Sequence, residues 1–492
     1  MPNHDPMLGY AAPVTAVVQR AVRRSPAPDT GRGWRLGETV PPALVLLLGA
    51  ALLRPGHGLW FDELFTAEVG RLPLREILTA IGTGRGTASY LADVPPSYNA
   101  PYYLVVWAWG AVPGLGGDTS LRVLSLLATA GGLALVTRAV CRLAGTATGV
   151  LAGTVVAASP LLLEQSVEAR SYGLAVLATG GALLGLTRWL QEPPRGLVLF
   201  GLAGAGMGLA HWYAGTVLAA FAVAALLLRG RRALPVVGTA VLAGLPTLAL
   251  IALNLTNGTG GRNAEHLRDT GGRLPGMAVE AWAGGRGPAL YLLVGLALVG
   301  AVRAQGLRVV GVAWAVVPLA LLLLAELLRP VYLPRYLLAG LIGWGVLAAA
   351  GALAMPRGAR GPVAALLVGC SLLACAPLAE RSPRERSDQV VAFLASHQRP
   401  GEPIVGADQR AATGLDHYVR VSAPRLRADV VLPPDDAPAG AGRVWLVRRE
   451  IDGEPVPTDD DGLLTDAGLT VTAQYDFPAS KTDLVLQLWE RR

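Results

Sequence analysis

Two acidic residues follow two aromatics in the stretch GLWFDELFTAEVG (58–70), and Asp62 and Glu63 are the first side chains that could take a proton from a substrate hydroxyl. A carboxylate at a membrane surface loses hydration, which raises its pKa towards that of a working base. The same pair could instead stabilise a helix N-terminus through free N–H groups and the dipole. In DVPPSYNAPYYLVVW (93–107), Tyr98, Tyr102, Tyr103 and Trp107, with Trp109 just beyond, suit a sugar or lipid shelf, or simply an interfacial anchor. LEQSVEARSYGL (163–174) sets Glu164, Glu168 and Arg170 at the end of an apolar run, where charge is costly unless paired or functional. Arg170 could grip a phosphate through two parallel hydrogen bonds, or pair internally with Glu164 or Glu168. His211, beside Trp212 and Tyr213, could belong to a site or be a structural histidine. Arg329 and Arg335 in RPVYLPRYLLAG (329–340) could meet an anionic head group or merely snorkel. No HxxH or HExxH pattern and no Cys–His spacing suggests zinc held by protein ligands. Cys141, Cys370 and Cys375 suit small buried residues.

These side chains need elements that bring them to one face. The 492 residues are 52% hydrophobic and only 16% charged, and mean hydropathy is +0.45. Soluble chains carry about 25% charged residues. Charge is scarce between residues 40 and 380 and ordinary from 381 to 492, so a membrane domain (38–380) and a small globular domain (381–492) follow a 37-residue N-terminal tail. Apolar runs suited to spanning helices fall at 38–55, 118–138, 147–164, 171–190, 196–212, 214–229, 233–254, 287–303, 307–327, 335–355 and 361–379, about eleven in all. The first run lacks a cleavage site and reads as an anchor, not a signal peptide.

The net charge of +7 sits largely in short loops between the apolar runs, as orientation signals do, so nucleic acid is not an expected partner. Arg20, Arg23, Arg24, Arg32 and Arg35 in the tail share one side with the Arg138/Arg142, Arg188/Arg195, Arg229/Arg231/Arg232, Arg303/Arg308 and Arg357/Arg360 loops, provided that 101–114 does not cross. That run is short, aromatic and bounded by prolines, and suits an interfacial helix on the outer face; as a crossing it would reverse every later loop. The resulting arrangement is N-in and C-out. It gathers 56–117, 168–173, 211–213, 255–286, 330–336 and the C-terminal domain outside.

In that domain, 383–397 has helical apolar spacing, EPIVGA and RVWLVRRE suit strands, GLLTDAGLTVTAQYDF suits helix then strand, and 482–490 alternates as a half-buried strand does. A small α/β domain is expected, with no catalytic constellation of its own. His417 and Tyr418 are expected on a solvated helix turn.

In order and spacing, WFDE (60–63), PPSYNAPYY (95–103), SLRVLS (120–125), SPLLLEQSVEARSY (159–172) and PRYLL (334–338) resemble the GT-C superfamily of membrane glycosyltransferases. The likeness covers about residues 40 to 350. It is strongest to the branch of protein mannosyltransferases and lipid A aminoarabinose transferases, in bacterial forms with a C-terminal extracytoplasmic domain. The resemblance implies a cell-membrane enzyme with its site on the extracytoplasmic face. Its donor is a polyprenyl-phosphate sugar, and its acceptor a protein, lipid or polysaccharide. It implies Asp62 as general base with Glu63 as its acidic neighbour, and Arg170, Tyr172, Arg335, Tyr336, His211 and Tyr102 around substrate and donor phosphate. Arg262, His266 and Arg268 match a variable loop covering the cavity, while the insertion 81–94 has no counterpart in the pattern. A single displacement at the anomeric carbon inverts the centre and needs no cofactor; a divalent metal, used by distant relatives, is not favoured. A transporter or flippase of lipid-linked sugars is the competing class. It would place paired charges at mid-membrane and show internal repeats, and the sequence has no such repeat.

Overall fold

A computed structural model describes residues 36–54, 56–83, 100–256, 272–432, 440–451, 453–458 and 460–491. Most of the arginine-bearing tail, residues 84–94 of the insertion 81–94, Tyr98, and Arg262, His266 and Arg268 lie outside the described residues.

The apolar runs form helices. In chain order these are α1 (Val40–Leu52), α2 (Phe61–Gly70), α3 (Leu74–Thr83), α4 (Ala100–Gly110), α5 (Asp118–Ala144), α6 (Thr146–Ala157), α7 (Pro160–Ser166), α8 (Tyr172–Gln191), α9 (Leu197–Ala210), α10 (Gly215–Arg229), α11 (Leu234–Thr256), α12 (Leu274–Ala283), α13 (Pro288–Arg303), α14 (Arg308–Leu328), α15 (Leu338–Leu353) and α16 (Arg357–Ala374). Six helices among the described residues are long and apolar enough to cross a membrane, or up to eight if each of two bent pairs is one span. One of the six, the 42-residue stretch Trp212–Leu253, is interrupted by a 3-10 turn at Gly230–Ala233. Gly230 adopts φ 55°, and Gly204 of α9 lies against both Leu218 and Ala243 from its two halves. The chain is a multi-pass membrane protein.

Two expectations change here, and the short run 101–114 is helical. The run 147–164 is not one straight span: α6 and α7 meet at 69°, because Pro160 cannot continue the helix and leaves Ser159 extended at ψ 126°. The stretch 255–286 is not only loop, since α12 lies within it and meets α13 at 114°. The run 101–114 becomes α4, whose 11 residues rise roughly 16 Å against a hydrocarbon core of roughly 30 Å.

Small residues let helices that carry site residues approach closely. A Cβ on Gly132 of α5 would stand 2.6 Å from the backbone of α8, and one on Gly180 of α8 would stand 2.4 Å from Gly132 O. The α13–α15 seam is tighter still, with Gly351 closed against Leu296 O. Without a hydrophobic force between helices in lipid, such seams supply the van der Waals contact that fixes them.

The C-terminal part holds α17 (Ser387–His397), β1 (Ile404–Gly406), α18 (Gln409–Ser422), β2 (Val430–Val431), β3 (Arg443–Ile451), β4 (Glu454–Pro455), α19 (Asp460–Asp466), β5 (Leu469–Phe477) and β6 (Asp483–Arg491). The mixed sheet runs β2-β1-β3-β6-β5, with β4 on β3; β1 pairs parallel with β2 and β3, and β6 antiparallel with β3 and β5. Side chains alternate across a strand. Accordingly Trp445 and Val447 join α17 and α18 on one face, while Val444 and Leu446 join Leu464 of α19 on the other. The first core also takes in Leu59 and Leu64, so α2 is packed into the C-terminal unit.

Candidate active site

The α2 helix puts its two acids to opposite uses. Glu63 is 1% exposed. Arg122 donates to both of its oxygens, at 2.8 and 2.6 Å, the Ala169 N–H donates at 2.8 Å, and the Trp60 N–H at 3.4 Å. Arg122 also donates to the His57 and Gly58 carbonyls, so the pair staples the chain before α2 to α5 and to the 167–171 turn. Asp62 faces a water-reached recess, its side chain 21% exposed. Its Oδ2 accepts from Arg335 Nη2 at 3.2 Å.

Arg170 lies just before α8, and its Nη1 donates to Asp62 O at 3.0 Å and Thr66 Oγ1 at 3.4 Å. Ser125 Oγ on α5 holds the Arg170 carbonyl at 3.1 Å. The α5–α8 seam thereby fixes where this guanidinium stands. Nε of Arg170 and Nε of Arg335 are buried without a hydrogen-bond partner. A charged donor left unpartnered in a buried place is costly, so these two are the donors a bound anion could satisfy.

Four rings gather behind the arginines. His211 is 3% exposed, with its ring centroid 5.1 Å from that of Tyr172 and 5.2 Å from that of Tyr336. Tyr213 stacks on Tyr336 at 4.7 Å. Tyr172, Tyr336 and His211 thus stand together. Tyr102 does not open to the recess. It is 2% exposed and 3.3 Å from Ser125 Oγ, beneath the Arg170 turn.

The C-terminal unit supplies more of the recess than its sequence suggested. Arg384 Cζ lies 4.6 Å and Lys481 Nζ 4.0 Å from the Trp60 ring centroid, and Arg335 Cζ lies 5.6 Å from it. Arg410 sits over Phe61 at 4.7 Å. Burial alone pushes the Asp62 carboxyl up, but Arg170, Arg335, Lys481 and Arg410 outweigh it and hold the group below the usual carboxylate range. This reverses the expectation that desolvation dominates at Asp62. Trp60 could have flagged the shared ring face, and a second signal was equally plain: of 42 Lys and Arg residues one is a lysine, Lys481.

Beyond Trp60 lies a cleft lined by Arg122, Glu164, Glu168, Arg381 and Arg384 among others. Arg381 and Arg384 both pair with Glu164, and Arg384 reaches Glu168 at 2.6 Å. Burial, opposed by Arg384 and helped by Glu63 and Glu164, pushes Glu168 up to about 7.

His417 and Tyr418 are not solvated; each is 5% exposed. His417 Nδ1 lies 2.9 Å from Glu68 Oε1 and Nε2 lies 3.1 Å from Asp118 Oδ1. Tyr418 donates to Asp118 Oδ2 at 2.8 Å and accepts from the Leu59 N–H at 2.6 Å. Arg420 also pairs with Glu68. The α18 face therefore docks on α2 and the start of α5. No group of three or more His, Cys, Asp or Glu among the described residues is arranged to hold a metal ion.

This architecture has a counterpart among solved structures, and the likeness is one of fold. One match is to ArnT from Cupriavidus metallidurans in the apo state, at 15% identity and TM-score 0.58, covering 91% of this chain and 97% of that one. ArnT from the same organism bound to undecaprenyl phosphate matches at 14% identity and TM-score 0.55, with the same coverage. No protein-family model matches the chain, and no curated protein matches it in sequence.

Proposed function

We propose that this protein transfers a sugar from a polyprenyl-phosphate donor to a hydroxyl of an extracytoplasmic acceptor, with inversion and with Asp62 as general base. The carrying observation is that the Asp62 carboxylate lies 3.2 Å from Arg335 while its backbone carbonyl accepts from Arg170, in a fold shared with an ArnT structure bound to undecaprenyl phosphate. Asp62 accepts the acceptor's proton as its oxygen attacks the anomeric carbon. The transition state is oxocarbenium-like, as in glycoside hydrolysis. The phosphate departs with its bonding pair and needs positive charge more than a proton, which the unpartnered donors of Arg170 and Arg335 supply. His211, Tyr172, Tyr213 and Tyr336 form the apolar wall that keeps water from the reacting centre. Glu63 acts through Arg122 by holding the α2 entry in place and is a positioning residue.

The resting pairing also explains how a carboxylate held low can serve as a base. Two unit charges at about 4 Å in a medium of effective dielectric ~20 interact by roughly 4 kcal/mol. One pKa unit is about 1.4 kcal/mol. When donor phosphate draws the arginines towards itself, Asp62 loses part of their pull and its proton affinity rises only with substrate in place.

The orientation follows the arginine-bearing loops. The eleven apolar runs cross with the N-terminus inside, and 38–380 and 381–492 form a membrane catalytic domain and an extracytoplasmic domain. The deciding experiment supplies radiolabelled polyprenyl-phosphate sugars to the full-length protein in nanodiscs. Label should move to acceptor with wild type and not with Asp62→Asn. Equal transfer by both would remove Asp62 from the mechanism.

A further inference from the structure

Lys481 is the sole lysine of a chain otherwise supplied with arginine, and it stands at the proposed reaction centre. The turn that carries it, between β5 and β6, is pinned from both sides. Ala479 N–H donates to Asp483 Oδ1 at 2.6 Å, Ser480 N–H to Pro383 O at 2.8 Å, and Thr482 N–H to Arg384 O at 3.1 Å. Arg410 is fixed as firmly. It opens α18, where Asp408 caps the helix by accepting from Arg410 N and Ala411 N, and Arg449 in turn holds Asp408.

These two cations face rings, not acids. Lys481 lies on Trp60 and Arg410 on Phe61, and among the described residues neither has a carboxylate within ion-pair distance. The neighbouring acids are already engaged. Asp62 pairs with Arg335, Asp408 with Arg449, and Glu385 Oε2 accepts from Phe61 N at 3.2 Å. Burial pushes Glu385 up to about 7, which further thins the negative charge nearby. Two guanidiniums, Arg170 and Arg335, are enough for one phosphate. Lys481 and Arg410 add like charge to the same recess, where they repel one another and Arg335. An ammonium is a compact point charge that can settle on any acidic oxygen, without the planar fit a guanidinium demands.

We propose that Lys481 and Arg410 form a second anion seat over Asp62, which takes an acidic group that the substrate brings in addition to the phosphate held by Arg170 and Arg335. The inference rests on the proposed glycosyl transfer and narrows its substrate class. Either the donor carries a diphosphate, or the transferred sugar or its acceptor carries a phosphate or carboxylate.

A single lysine makes the seat directly readable. Lys481 is an exposed residue, and desolvation of its ammonium where it lies on Trp60, with Arg335, Arg384 and Arg410 nearby and Asp62 opposing, pulls it down to about 8. Its ε-amine should therefore acylate readily at mildly alkaline pH. Full-length protein in nanodiscs is treated with N-hydroxysuccinimidyl acetate, and the Lys481 peptide is followed by mass spectrometry. Undecaprenyl phosphate alone should leave the rate unchanged. Inorganic phosphate added to that complex, or undecaprenyl diphosphate in its place, should slow labelling about tenfold, and Arg410→Gln should raise the concentration needed about tenfold, the weight of a charged hydrogen bond. Protection by the diphosphate assigns the second group to the donor. Protection by free phosphate alone assigns it to the sugar or acceptor. Protection by undecaprenyl phosphate alone, or by none of the three, overturns the second seat. Absence of undecaprenyl phosphate binding, read separately by native mass spectrometry, strikes the proposed function and leaves the free-phosphate arm in force.

Discussion

Trp60 divides two charge-rich regions that resemble each other in composition and differ in balance. On one side Arg122 is matched by Glu63, and Arg381 and Arg384 by Glu164 and Glu168. On the other, Arg170, Arg335, Arg410 and Lys481 all act on the single carboxylate of Asp62. Matched charges satisfy each other and fix the backbone. Unmatched cations persist only where something else completes them. The comparison separates architecture from chemistry even within the adjacent pair Asp62 and Glu63.

Substitutions on the two sides should therefore fail differently. Asp62→Asn should lower transfer by about 100-fold to 10,000-fold, the range for loss of a general base, while leaving thermal stability near that of wild type. Loss of folded protein instead would make Asp62 architectural. Glu63→Gln should do the reverse. It strands Arg122, and breaking a buried pair costs about 3–5 kcal/mol, visible as a lowered unfolding temperature and faster hydrogen exchange over 57–70. A stable Glu63→Gln protein with no activity would merge the two roles.

Arg335→Gln should weaken undecaprenyl phosphate binding by about 10-fold to 100-fold, since a charged hydrogen bond contributes roughly 1.5–3 kcal/mol. It should also let Asp62 rise, moving the acidic limb of the pH–rate profile to higher pH. An unmoved limb would mean that another group sets it.

The smallest effect concerns the dock between α18 and α2. Burial opposes the proton on His417, but bonds to Asp118 and Glu68 win and raise its pKa. A raised histidine adds stability that is complete below about 6.5 and is lost as pH climbs through the folded value. Glu385, up at about 7, acts in the same sense, because the folded state keeps its proton after an unfolded glutamate has lost it near 4.3. Exchange protection of 409–422 should thus decline from pH 6 to pH 9, and His417→Gln should flatten that decline.

The elements were written plainly in the sequence, because a helix run or an alternating strand is a local pattern. β3 and β6 needed only their own residues to be recognised, and so did α5 or α8. The grouping of Asp62, Arg170 and Arg335 followed from family motifs, since these residues are remote in sequence. What stayed hidden depends on contacts between remote segments. His417 looks solvated from its own helix and is buried only because Glu68 and Asp118 close over it. Tyr102 looks like part of a binding shelf until Ser125 is seen beside it. Burial pushes Asp62 up, Arg170 and Arg335 do most to lower it, and the part added by Lys481 and Arg410 stayed hidden because they come from a region with no recognisable motif.

Leu59 and Leu64 lie at the root of α2 yet are fully enclosed by Val390, Leu394, Leu415 and strand side chains of the C-terminal sheet. That part of the chain is therefore no detachable accessory. Cutting it away would uncover a greasy stripe directly beside Asp62, and a shortened version would have to repaint that stripe with polar residues before it could keep that carboxylate in place.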